Sequence, residues 1–175
     1  MRTLMAAAAL VLLAAPPSAR SELKASAPDG FTVEHRLSIA STAVSAWSVL
    51  VHPERWWPKD HTWSGDARNL SLDANAGGCF CERWQDASVE HARVIQSRPG
   101  RILRLNGALG PLQEMAVEGV LSVQLEGDEH GCVAIVTYRV SGDASHHLEL
   151  LAPVVDRVIG EQFGGFAALA SHGGR

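Results

Sequence analysis

The sequence predicts an α+β domain in which a curved antiparallel sheet of seven strands wraps around one long C-terminal helix. Three observations carry this. Residues 70–142 alternate apolar and polar side chains in short runs separated by Gly, Pro, Asn and Asp, the pattern of six strands joined by tight turns. Phe31, Val33, His35, Leu37 and Ile39 alternate with Thr32, Glu34, Arg36 and Ser38, which adds an opening strand. Leu148–Ala170 instead repeats at helical spacing. Leu151, Val155, Val158, Ile159, Phe163 and Phe166 form an apolar stripe, with Asp156, Arg157 and Glu161 off it. This is the only long amphipathic element available to cover the apolar face of the sheet.

In chain order, residues 1–21 read as a secretory leader. Arg2 supplies the charge, Leu4–Ala15 an apolar run too short to span a bilayer, and Ala19-Arg20-Ser21 the small residues of a cut. Residues 22–30 read as a polar linker ending in the turn Pro28-Asp29-Gly30, and residues 31–172 as one domain. Ser41 or Thr42 caps a helix over Ala43–Val51, and Pro53 starts a second short helix through Trp57. The strands follow as Leu70–Leu72, Cys79–Gln85, Val89–Ser97, Arg101–Gly107, Met115–Glu126 and Cys132–Ser141. Pro153 belongs in the first turn of the last helix, so its rigid part begins near Ala152. Gly164-Gly165 inside that helix costs about 1–2 kcal/mol and asks for a reason, either a close approach of the helix to a strand or room for a ligand.

Composition narrows the function. The net charge is −4, or about −6 were a leader to carry away the two cations Arg2 and Arg20. A chain without a basic face is not expected to bind nucleic acid or a membrane surface, and no stable membrane insertion is expected once a leader is cut. Gly77-Gly78 has no lysine after it and precedes a strand, so it is a turn rather than a phosphate loop. No nucleophile elbow or dinucleotide fingerprint occurs, and no cofactor is expected. Oligomeric state is not legible.

The ordered elements resemble the helix-grip fold of the START-like superfamily, also called SRPBCC, which includes the polyketide cyclases. Within it the chain looks most like bacterial relatives of the heat-shock-protein ATPase activator homologues. The stretches that carry the resemblance are FTVEHRLSIASTAVSAWSVL, the pair Trp56-Trp57, Ala76-Gly77-Gly78 before a strand, VEHARVIQSRPGRILRL and VVDRVIGEQFGGFAAL, within residues 31–170. The resemblance implies a small apolar or amphipathic ligand held between sheet and C-terminal helix. The expected function is that of an exported, periplasmic or secreted binding protein. A cofactor-free cyclase or dehydrase of the polyketide kind and a protein-interaction module are the alternatives. The leader argues against a cytosolic co-chaperone role.

Trp56, Trp57, Trp63, Trp84, Met115 and Phe163 are the residues expected at a ligand cavity. Glu82 and His91 are the candidate acid/base groups, with His52, Glu54, Asp60 and His61 near the rim. A turn centred on Asp86 places His91 opposite Cys81. Cys79, Cys81 and His91 then share one face, a weak candidate set for zinc or copper(I), and Glu82, Trp84 and Glu90 share the other. Cysteines two apart on a regular strand sit about 6.5–7 Å apart at Cα, too far for an easy disulfide, so Cys79 and Cys81 are not expected to pair. Cys132 opens the last strand, and a bridge from it to either is left open.

Overall fold

A computed structural model describes residues 20–173, Arg20 by its backbone only. Residues 1–19 of the expected leader lie outside the described residues.

The opening strand appears as β2 (Gly30–Ile39), followed by α1 (Ala43–Leu50), whose N-terminal cap is Thr42 accepting from the Ser45 N–H at 3.1 Å. The meander follows as β3 (Leu70–Leu72), β4 (Cys79–Trp84), β5 (Ala87–Arg98), β6 (Ile102–Asn106), β7 (Glu118–Gly127) and β8 (Cys132–Ser141). The closing helix is α2 (Ala152–Ser171), with Pro153 in its first turn. The stretch after Pro53 makes only a short 3-10 turn, Pro53–Arg55. Met115 ends another such turn, Gly110–Met115, instead of opening β7.

The sheet is antiparallel throughout and has eight strands, not seven, in the order β1 (Arg20–Ala27), β2, β8, β7, β6, β5, β4, β3. The additional strand, β1 (Arg20–Ala27), occupies the stretch read as a linker and pairs with β2 through the Pro28-Asp29 turn. Leu23 is its one large apolar residue, and all of 21–27 is exposed. A sheet edge covered with Ser, Lys and Glu leaves no hydrophobic period to read, and such an edge discourages pairing with other chains.

The core lies between the inner face of the sheet and α2. Val33, Leu103, Leu125, Val136 and Phe166 are each at most 2 % exposed. α2 crosses the sheet against β2 and beside α1. Gly165 has a packing reason: a Cβ there would stand 2.8 Å from the Trp56 carbonyl oxygen. The close approach is thus to the segment after Pro53 and not to a strand. At Gly160 a Cβ would meet the His35 ring at 2.8 Å, which is how β2 and α2 come together. Among the described residues no helix is long and apolar enough to cross a membrane.

Candidate functional site

A cavity of about 480 Å³ opens between the sheet and the N-terminal half of α2. Val155, Val158 and Ile159 of α2 form one wall, and Leu109–Leu112 with Met115 form another. Tyr138 of β8 and His91 of β5 come from the sheet, and Asp60–Trp63 close one side. The lining is chiefly apolar, and the mouth carries Trp63 and Val154, 48 % and 51 % exposed.

The polar content is concentrated in one buried pair. Glu82 on β4 is fully buried, and its carboxylate accepts from the backbone N–H of Trp63 (3.0 Å) and Ser64 (2.6 Å). It also contacts His91 Nε2 at 3.1 Å. Burial pushes the Glu82 carboxyl up, but the hydrogen bonds from Ser64, Trp63 and His91 together outweigh it and hold the group below its usual range. Burial also lowers His91, more than the Glu82 hydrogen bond and charge raise it. Glu82 is therefore ionised and accepts only, so His91 Nε2 carries the proton and donates it. The ring is neutral at pH 7, and its Nδ1 is a free base with no hydrogen bond among the described residues.

Tyr138 plays a different part. Its hydroxyl donates to the Gly107 carbonyl at 3.2 Å and accepts from the Leu109 N–H at 2.9 Å. Burial pushes its pKa to about 12. The hydroxyl ties the Leu109–Leu112 wall to the sheet and is not available as a proton donor. Two further buried atoms, Gln162 Oε1 and His61 Nδ1, have no hydrogen-bond partner, although both residues line the cavity. An unmet buried acceptor costs about 1–3 kcal/mol, so both invite a polar group from a bound molecule.

The register of the β4–β5 hairpin explains why His91 meets Glu82. The turn is the two-residue Gln85-Asp86, with Gln85 at φ 47°, and it pairs Trp84 with Ala87. From there Glu82 opposes Val89 and Cys81 opposes Glu90. A bulge then intervenes: Phe80 opposes Ala92, leaving His91 as the extra residue of β5. Both His91 and Ala92 are buried, and Phe80 packs on the His91 ring with centroids 4.9 Å apart. This corrects two expectations: His91 does not share a face with the cysteines, and Glu90 does not share one with Glu82.

Glu90 takes the place beside the cysteines. One ligand atom from each of Cys79, Cys81 and Glu90 lies within 4.8 Å of the others. Cys79 and Cys81 also form a disulfide, contrary to expectation, with their Cα atoms 5.4 Å apart. Closing a loop this small contributes only about 1–2 kcal/mol in the chain-entropy account. Cys132 is free and buried, and burial pushes its thiol up.

The expected cavity residues divide. Trp63 and Met115 line the cavity. Trp56, Trp57 and Phe163 instead stack in the core around a hollow of about 20 Å³, with the Trp56 and Trp57 rings 5.3 Å apart. Their indole N–H groups donate to the carbonyls of Val49 and His61, each at 3.0 Å. Trp84 is half-buried at the hairpin end and lines neither space. Asp60 and His61 line the cavity, whereas His52 and Glu54 contact each other at 3.0 Å away from it. Sequence reasoning missed Gln162 and Tyr138. Each left a signal: Gln162 is a polar residue at an apolar position of the α2 stripe, and Tyr138 is the single tyrosine of the chain.

No protein-family model matches the chain, and no curated protein matches it in sequence. Its fold has known counterparts. A protein from Chromobacterium violaceum superposes with a TM-score of 0.56 at 14% identity, over 80% of this chain and 97% of its own. Norcoclaurine synthase from Thalictrum flavum, a point mutant in complex with a transition-state analogue, gives 0.54 at 11%, over 89% and 97%. The di-domain ARO/CYC StfQ of the steffimycin biosynthetic pathway gives 0.55 at 12%, over 83% of this chain and 50% of that one. With its large antiparallel sheet and C-terminal helix, the chain shares a helix-grip fold with these structures.

Proposed function

We propose that the chain binds a small apolar or amphipathic molecule between the sheet and α2, with the molecule's polar end at His91 and Gln162. The cavity itself carries this reading. Its volume of about 480 Å³ lies within the range of small-molecule sites, and an apolar lining with a few converging polar groups is their usual chemistry. A docking module would have a filled core, and this core is not filled. The apolar run Leu4–Ala15 supports export, and the Cys79–Cys81 disulfide suits an oxidising compartment. Kinship to the ATPase activator relatives rests on the sequence stretches alone.

The test is displacement of an apolar fluorophore. Val158→Trp should fill the cavity and weaken fluorophore binding by about tenfold or more, as loss of roughly 1.4 kcal/mol or more implies. Unchanged binding by a folded Val158→Trp variant would sink the proposal.

The Glu82–His91 hydrogen bond favours a second reading, acid/base catalysis of the cyclase or dehydrase kind on a bound cyclic ketone. His91 Nδ1 takes a proton from the carbon beside the carbonyl, Glu82 stabilises the imidazolium, and the proton returns to the enolate. Deuterium exchange at that carbon, followed by NMR, should occur with the wild-type chain and stop in His91→Gln. Exchange that persists in His91→Gln removes this reading and leaves carriage.

A further inference from the structure

The outer face of the β4–β5 hairpin carries a second site, separate from the cavity. Cys79 is half-buried, Cys81 buried, and Glu90 exposed beside them on the neighbouring strand. Arg93 holds Glu90 in place: its Nε donates to Oε1 at 3.1 Å and its Nη2 pairs with Oε2. Glu90 Oε2 in turn lies 3.9 Å from Cys79 Sγ. The cysteines are two residues apart, so their bond staples no distant segments together. Opening it leaves two sulfurs and a carboxylate converging on one point.

We propose that Cys79, Cys81 and Glu90 form a zinc(II) site that is closed while the disulfide is intact and opened by a thiol reductant. In reduction, two small thiols each give up a proton and an electron. The Cys79–Cys81 bond breaks to two thiols, and the donors join as their own disulfide. Zinc binding then displaces one proton from each cysteine, giving two thiolates, one carboxylate and a fourth position for water. Sulfur and oxygen donors together fit tetrahedral zinc, at bond lengths of about 2.3 and 2.0–2.2 Å. Copper(I) takes thiolates without needing a carboxylate, so Glu90 favours zinc. Charge agrees, since two thiolates and Glu90 carry three negative charges, Arg93 one positive, and the dication closes the balance. Removing Arg93 or Glu90 while keeping the sulfurs is expected to weaken binding rather than abolish it.

The experiment uses the whole chain, reduced, freed of reductant without air, and titrated with zinc against a chromogenic chelator at pH 7. The reduced chain should bind one zinc and release two protons, while the disulfide form binds none at that site. Cys79→Ser and Cys81→Ser should each remove the zinc, and Glu90→Gln should weaken it by about tenfold or more. Equal zinc in the oxidised and reduced chains, or zinc retained in both serine variants, would show that histidines elsewhere bind it and would overturn the site. A reduced chain that no longer melts cooperatively overturns it as well, because the site needs the β4–β5 register. Apolar fluorophore binding is read separately and stands or falls without this result.

Discussion

The two faces of the β4–β5 hairpin are built from alternating residues of the same two strands, yet they hold opposite kinds of chemistry. The inner face presents Glu82 and His91, a buried charged acceptor and a neutral base against an apolar cavity. The outer face presents Cys79, Cys81 and Glu90, with Arg93 compensating the carboxylate near water. The two-residue turn Gln85-Asp86 sorts the two sets: counted from it, Glu90 opposes Cys81 and His91 follows on the other face. With one residue more in that turn, the side-chain period of two would put His91 opposite Cys81, on the face of the cysteines. The difference shows that the length of one turn decides which chemistry each face receives.

The comparison breaks most completely if the bulge is removed. Deleting His91 takes away the partner of a fully buried carboxylate, while the flanking pairs Cys81–Glu90 and Phe80–Ala92 become consecutive. The loss should be about 3–5 kcal/mol, or a fall in Tm of about 10–15 °C in a thermal melt. A deletion variant that melts within a few degrees of the wild type would mean that Glu82 does not need its partner.

Glu82→Gln comes next. Two backbone N–H groups and His91 point at the two carboxylate oxygens, and an amide has only one acceptor oxygen to offer them. The expected cost is about 2–3 kcal/mol by denaturant unfolding. The pair also sets a pH dependence. Both groups are depressed in the fold, so the unfolded chain takes up protons the folded chain refuses, first at His91 below its ordinary 6.5 and then at Glu82 below its ordinary 4.5. Stability is therefore complete at pH 7 and above and falls as pH drops through these two windows. In Glu82→Gln the lower of the two losses should vanish. A wild-type stability that rises on acidification from pH 7 to 5 would contradict the neutral His91.

Gly165→Leu tests the two halves of α2 against each other. The new side chain must displace the Trp56 carbonyl, at about 1–3 kcal/mol, while leaving the cavity near Val158 and Ile159 open. Lower Tm with unchanged fluorophore affinity is the expected outcome. The smallest effect belongs to the outer face, where Cys79→Ser with Cys81→Ser should cost about 1–2 kcal/mol.

Much of this architecture was legible in the sequence because burial leaves a period. β2 and β7 alternate cleanly, α2 repeats at helical spacing, and Thr42 and Pro153 mark helix starts by their chemistry. β1 was not legible, since an exposed edge carries no apolar rhythm. The site was legible in its residues and not in its arrangement. Glu82 and His91 stood out as titratable groups within strands, but their meeting depends on a two-residue turn and a bulge. Neither leaves a mark in composition: Gln85 adopts φ 47° with no glycine or asparagine to announce it. The cysteine geometry failed because it assumed a fully extended strand, whereas the two Cα atoms stand 5.4 Å apart. The tryptophans misled for another reason. An indole fits a core and a cavity equally well, and at Trp56 and Trp57 the N–H groups were already taken by backbone carbonyls.

The central claim is that the space beside α2 holds a molecule, and native mass spectrometry of the chain purified from its own source tests it most directly. The account predicts a bound mass of a few hundred daltons that leaves on denaturation and is absent from Val158→Trp. A wild-type chain that always flies at its bare mass and displaces no apolar fluorophore would contradict it.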